Sequence, residues 1–199
     1  MIDLKEAKAK EQELFEQGTR WLEATNLIEL LQPLGDVQLD GSFAYRLLVK
    51  PDIDFHIYND NPDFAVSTEV ARKMLEFPNI ARFRMVNTYV NKPKPGEPKG
   101  HFIGLKLEFE DRLWTLNAWI IRPEDKNDVA TFPQDWYISL SPEQHDTILL
   151  IKHQLKEAGR YGGAAGDKFA SADIYRAVMN DGITHIDQLL EWRETHPYF

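Results

Sequence analysis

Leu39-Asp40-Gly41-Ser42-Phe43-Ala44-Tyr45-Arg46-Leu47-Leu48-Val49-Lys50-Pro51-Asp52-Ile53-Asp54-Phe55 links two short runs of alternating polarity. On its N-terminal side, Asp36-Val37-Gln38-Leu39-Asp40 reads as a strand that runs straight into Gly41-Ser42. On its C-terminal side, Ile53, Phe55 and Ile57 alternate with Asp52, Asp54, His56 and Tyr58, a second strand. Strand side chains repeat every second residue, so Asp52 and Asp54 share a face. Two adjacent carboxylates disfavour each other's charged form, and a shared cation relieves that. Mg²⁺ suits such a pair when phosphate oxygens complete its octahedral oxygen shell. Gly41 lets the backbone approach a phosphate closely, and Ser42 offers a hydroxyl and a backbone N–H at the start of a helical turn.

Upstream of this stretch, residues 3–33 carry Leu14, Phe15, Leu22, Leu27, Ile28, Leu30 and Leu31 at helical spacing. Pro33 and Gly35 stop the pattern, and Gly18-Thr19 is a place where it would divide into two helices. Downstream, Asn59-Asp60-Asn61-Pro62 is a turn, and residues 67–77 predict a helix with Val70, Met74 and Leu75 inward. Residues 81–122 predict a sheet: Arg82 to Val86, a loop from Asn91 to Pro98, then runs over 101–110 and 113–121 joined at Asp111-Arg112. From Ser141 the pattern is helical. Ser141-Pro142-Glu143-Gln144 combines an N-cap, proline at the first helical position and a capping-box glutamine. A glycine-rich loop over 159–166 precedes two short helices, the first ended by Gly182 and the second opened by Thr184-His185-Ile186-Asp187. This order predicts an α+β fold: a mixed sheet with flanking helices in residues 1–125 and a helical region in 126–199.

The composition narrows the function. With 43% hydrophobic and 28% charged residues the chain reads as a soluble globular protein. No apolar run approaches membrane-spanning length, and no basic segment followed by an apolar core opens the chain. The absence of cysteine excludes disulfides, thiolate metal sites and a cysteine nucleophile, and fits a cytoplasmic protein. A formal net charge of −9 argues against a broad, sequence-independent grip on nucleic acid, which needs clustered Lys and Arg. A small-molecule or small-protein partner is expected instead.

The motif resembles that of the DNA polymerase β-like nucleotidyltransferase superfamily: an apolar strand ending in Gly-Ser, a spacer, then acid-apolar-acid-apolar on the next strand. Gly41-Ser42, Leu47-Leu48-Val49 and Asp52-Ile53-Asp54 are most similar to small bacterial members, and the tail around Asp173-Ile174-Tyr175-Arg176 is weakly similar. The resemblance implies that Asp52 and Asp54 are catalytic residues and ligands to Mg²⁺ or Mn²⁺. It implies that Gly41 and Ser42 hold the triphosphate of a nucleoside triphosphate whose nucleotidyl group passes to a hydroxyl acceptor on a small molecule or protein. Arg46 and Lys50, in the spacer, are candidates for pairing with phosphate oxygens. So is Lys152, which shares a helical face with Lys156 and Arg160, although a solvated stripe accounts for that spacing more simply.

One position departs from the superfamily. A third acid is expected on a later strand, and within Trp114-Thr115-Leu116-Asn117-Ala118-Trp119 the matching residue is Asn117. An amide is no general base and binds a hard cation weakly. Glu108 and Glu110 are the alternatives, although their alternation with Lys106 also describes a plain solvated face. Two classes therefore stand: an active nucleotidyltransferase, and a catalytically degenerate module that binds nucleotide or metal without turnover. His56 shares the face of the acid pair, with a local hydrogen bond as its simplest role.

Overall fold

The opening helical pattern folds as α1 (Leu4–Thr25) and α2 (Leu27–Leu31), followed by a 3-10 turn at Gln32–Leu34. The break falls at Asn26, held in the left-handed conformation with φ 47°, and not at Gly18. Gly18 serves packing instead. A Cβ there would stand 2.5 Å from Phe43 Cε2 and 3.0 Å from Trp114 Cη2, so the missing side chain lets the helix close on two aromatic rings.

The computed structural model describes residues 2–91, 98–128, 136–162 and 167–196. Most of the Asn91 to Pro98 loop and the second half of the glycine-rich loop lie outside these residues. The chain divides into two compact units, one spanning Glu13–Pro133 and the other joining Met1–Gln12 to Gln134–Phe199. Among the described residues no helix is long and apolar enough to cross a membrane.

The first unit is built on a five-stranded mixed sheet of β1 (Asp36–Asp40), β2 (Asp52–Tyr58), β3 (Ile80–Asn87), β4 (His101–Phe109) and β5 (Arg112–Ile121). Its order is β1-β2-β5-β4-β3, with β2 and β5 parallel and the other neighbours antiparallel. A single helical turn, α3 (Gly41–Ala44), follows β1, and α4 (Phe64–Met74) links β2 to β3. Helix α4 begins earlier than its apolar spacing predicts because Asp63 caps it, accepting from the Val66 N–H at 2.8 Å. Glu110 and Asp111 both adopt positive φ (46° and 59°) and form the tight turn between β4 and β5.

Alternation assigns the two sheet faces. Ile53, Phe55 and Ile57 of β2, Ile103, Leu105 and Leu107 of β4, and Trp114, Leu116, Ala118 and Ile120 of β5 pack with Leu14, Trp21, Leu31, Val70 and Met74 in one core. Fully burying each of these larger side chains contributes about 1.5–3 kcal/mol. The opposite face carries the polar residues of the same strands, Asp52 and Asp54 among them, so apolar alternation on one face aims the acids from the other.

The second unit holds α5 (Pro142–Glu157), α6 (Ser171–Asp181) and α7 (Ile186–Thr195). The capping box predicted from Ser141 and Gln144 is formed in both directions, at 3.2 and 3.0 Å. Gly182 ends α6 in the left-handed conformation. Residues at the start of the chain belong here because Ile2 N donates to Glu157 Oε2 at 3.1 Å and Lys8 Nζ lies 2.7 Å from Asp146 Oδ2. Asp173 is buried and paired with Arg193 at 2.6 Å, and the Arg193 guanidinium lies 4.4 Å from the Phe169 ring centre.

Candidate functional site

Strand register assembles the site from residues distant in sequence. Asp40 of β1 stands opposite Asp54 of β2, and Asp54 stands opposite Asn117 of β5. The same row continues through Gly104 of β4 to Arg84 of β3. The next row reads Gln38, His56, Trp119, Phe102 and Val86. A period of two puts both rows on the face turned away from the apolar core.

Asp52 and Asp54 are therefore side by side, as their spacing predicts. Burial first, and then the charge of Asp52, push the Asp54 carboxyl up to about 7; the hydrogen bond from Asn117 and the charge of Lys50 oppose that shift. Asn117 Nδ2 donates to Asp54 Oδ1 at 2.9 Å and, more weakly, toward Asp52 Oδ1 at 3.4 Å. Lys50 Nζ lies 2.9 Å from Asp52 Oδ2, so one of the two phosphate-binding candidates of the spacer sits on the acid pair itself.

Gly41 touches the acid pair directly. Its φ is +67°, and a Cβ there would meet Asp54 Oδ2 at 2.4 Å, so only glycine fits against this carboxylate. Ser42 follows in the α3 turn, where its carbonyl accepts from the Leu47 N–H at 2.9 Å. Arg46 takes a positive φ of 57° and lays its guanidinium 3.9 Å from the centre of the Phe15 ring. Spacing alone missed a polar group behind the pair: Tyr45 donates to Asp40, and His56 Nε2 lies 3.5 Å from Asp40 Oδ2. His56 is buried, with Nδ1 3.3 Å from the Tyr58 hydroxyl, a local hydrogen bond. The signal was Asp40 itself, an acid on an alternating strand immediately before Gly-Ser.

The alternative acids stand elsewhere. Glu108 pairs in register with Leu113, four residues along β5 from Asn117 or roughly 13 Å at strand rise. Glu110 lies in the β4–β5 turn and binds Arg20 with both oxygens, at 3.0 and 2.6 Å. In the second unit, Lys152 is fully buried with Nζ 3.1 Å from the Tyr175 hydroxyl and near the Tyr161 and Tyr175 rings; burial takes it out of any solvated stripe.

These residues fit one hard divalent cation. Asp52 and Asp54 offer adjacent carboxylate oxygens, and the raised proton affinity of Asp54 marks a pair short of compensating charge. Among the described residues no group of three or more His, Asp or Glu side chains is placed to hold a metal, so an ion between Asp52 and Asp54 would have to complete an octahedral shell from other oxygens. Asn117, opposite Asp54 in register, adds a neutral amide and no third carboxylate to this pair.

No family model matches the chain, and no curated protein matches it in sequence. Solved structures do match. A Cid1 poly(U) polymerase structure with Mg and 3′-dATP bound aligns with TM-score 0.57 and 13% identity, over 83% of this chain and 48% of that one. A cytoplasmic RNA terminal U-transferase aligns with TM-score 0.56 and 12% identity, over 84% and 47%. A chain of the noncanonical poly(A) polymerase complex GLD-2–GLD-3 aligns with TM-score 0.58 and 14% identity, over 99% and 64%. The chain thus spans about half the length of the first two structures. Likeness at these identities concerns the fold: the mixed sheet with flanking helices is that of polymerase β-like nucleotidyltransferases.

Proposed function

We propose that this chain binds a nucleoside triphosphate through a divalent cation, Mg²⁺ or Mn²⁺, held by Asp52 and Asp54, and passes its nucleotidyl group to a hydroxyl acceptor. The observation that carries this reading is the seating of Gly41 against the Asp54 carboxylate, which joins the Gly-Ser turn and the acid pair into one surface. The fold supports it, since its solved neighbours include terminal U-transferase and poly(A) polymerase structures.

In this reading the acceptor oxygen attacks the α-phosphorus, the bond from that phosphorus to the β-phosphate oxygen breaks, and pyrophosphate leaves. The cation supplies neutralisation of the triphosphate and of charge building on the entering and leaving oxygens. Gly41 and Ser42 receive the phosphates along the α3 turn, and Lys50, beside Asp52, pairs with a phosphate oxygen. Asn117 holds Asp54 in place through its amide N–H and takes no proton, so the acceptor's proton leaves to solvent. The net charge of −9 favours a compact acceptor over a long polyanion.

A second reading rests on Asn117 itself: a module that binds nucleotide without turnover. Pyrophosphate release with each of ATP, GTP, CTP and UTP, with Mg²⁺ and an acceptor panel, separates the two. Release that Asp54→Ala abolishes supports transfer. Nucleotide binding without release, again lost in Asp54→Ala, supports the binding module. Wild-type protein that binds neither Mn²⁺ nor nucleotide overturns both.

A further inference from the structure

Arg46 stands in a backbone conformation that glycine adopts more easily. The turn that begins at Gly41 ends in a doubly hydrogen-bonded cap. The Arg46 N–H donates to the Phe43 carbonyl at 3.3 Å, and the Leu47 N–H donates to the Ser42 carbonyl at 2.9 Å. That pair of bonds puts the residue before Leu47 in the left-handed region, where a helix end usually carries glycine. Arg46 occupies the position with φ 57°. A side chain is strained there, and such strain persists only where the surroundings hold it.

The surroundings come from α1. The Arg46 guanidinium lies 3.9 Å from the centre of the Phe15 ring, near enough for the ring's electron-rich face to attract the cation. Phe15 in turn stacks on Phe43 of the turn itself, with ring centres 5.0 Å apart and planes 27° apart. Phe43 is buried, and Gly18, three residues beyond Phe15 on α1, leaves room for its ring. Arg46 thus closes a circuit that runs from the end of the turn to α1 and back into the turn through Phe43. A single helical turn holds its shape poorly by backbone bonds alone, so these contacts with α1 decide where its first residue sits. That residue is Gly41, which rests against the Asp54 carboxylate.

We propose that Arg46 is a positioning residue of this site: stacked on Phe15, it locks the 41–47 turn to α1 and so fixes Gly41 against Asp54. The proposal rests on the nucleotidyl-transfer reading for the ligand whose affinity reports it. The two cations of the spacer then divide their roles. Lys50 Nζ lies 2.9 Å from Asp52 Oδ2, on the acid pair itself, whereas Arg46 turns its guanidinium to an aromatic ring of α1. Arg46 therefore acts on the nucleotide through the turn and not by touching a phosphate.

The test compares the full wild-type chain with Arg46→Gly, Arg46→Lys, Phe15→Leu and the Arg46→Gly/Phe15→Leu double variant. Each is read by melting temperature, by hydrogen exchange of the backbone amides of 42–47, and by calorimetric affinity for ATP with Mn²⁺. Glycine suits the left-handed position, so the melting temperature of Arg46→Gly is expected within about 3 °C of wild type. Its turn amides should nevertheless exchange about fivefold faster, and its ATP affinity should fall about fivefold. Arg46→Lys keeps a cation for the ring and should recover part of both losses. Phe15→Leu should reproduce them, and the double variant should lose no more than either single change, because both break one contact. If Phe15→Leu does not fold, Arg46→Gly with its recovery in Arg46→Lys carries the comparison. Unchanged exchange and affinity in Arg46→Gly overturn the proposal. A loss of affinity in Arg46→Gly that Phe15→Leu does not share also overturns it, since Arg46 would then act on the phosphates directly. If wild type binds no ATP with Mn²⁺, the nucleotide reading fails for ATP and exchange alone decides. Faster exchange in both single variants then keeps Arg46 as the lock of the turn, and unchanged exchange removes it.

Discussion

The side-chain amide of Asn117 donates to Asp54 at 2.9 Å across the parallel β2–β5 pair, in which the two residues stand opposite each other. The bond has two effects at once. It opposes the rise in Asp54 proton affinity that burial and Asp52 impose, and it sets beside the acid pair a group that accepts no proton.

Asn117→Asp therefore adds a third acid at a cost to the metal-free protein. A third carboxylate would replace a donor with a like charge, destabilising the protein by about 1–3 kcal/mol. Adding Mn²⁺ should return more melting temperature to the variant than it adds to wild type. Equal shifts in a thermal melt would show that no cation sits between the acids.

Asp54→Asn should separate stability from binding. The change removes a partly buried charge beside Asp52, so the melting temperature is expected to hold or rise by a few degrees. Mn²⁺-dependent nucleotide binding should fall by more than tenfold. A variant that melts lower and binds normally contradicts the placement of Asp54 in the site.

Gly41→Ala tests the contact between the turn and the acid. Alanine at φ +67° costs about 1–2 kcal/mol in backbone strain, and its methyl would displace the Asp54 carboxylate it overlaps. We expect a modest fall in melting temperature and at least a tenfold loss of nucleotide affinity. Unchanged affinity would mean that the turn and the acid act separately.

His153 gives the second unit a pH dependence of its own. Burial first, then the charge of Lys156, depress this imidazole from 6.5 to about 4, and its Nε2 has no hydrogen-bond partner among the described residues. The unfolded chain takes up the proton between those two values and the folded chain does not. Stability is thus full above about 6.5 and falls as pH drops toward 4, by roughly 2 kcal/mol after allowance for solvent screening. Melting temperatures across this window should flatten in His153→Leu; an unchanged slope assigns the effect to other groups.

Much of the candidate site's geometry was legible because its logic is local. Gly41, Ser42, Asp52 and Asp54 announce themselves by spacing along two strands, and Ser141 with Gln144 by spacing along one helix. What escaped depends on partners remote in the chain. Gly18 looks like a helix breaker until Phe43 and Trp114 are seen packed against it, and the break passes to Asn26. The contact of the Phe102 and Trp119 rings exists only through the β4–β5 register, and the polar group of Asp40, Tyr45 and His56 only through the β1–β2 register. Lys152 reads as surface charge from helical spacing alone, and tertiary packing buries it.

The amide of Asn117 also sets how the acid pair rests with nothing bound to it. One donor reaches toward both carboxylates, at 2.9 and 3.4 Å, so part of their mutual repulsion is offset within the sheet itself. Asparagine and aspartate codons differ by a single base. A sheet that carries its own counterweight here and one that would need a cation to hold three acids together are therefore neighbours in sequence space, one substitution apart.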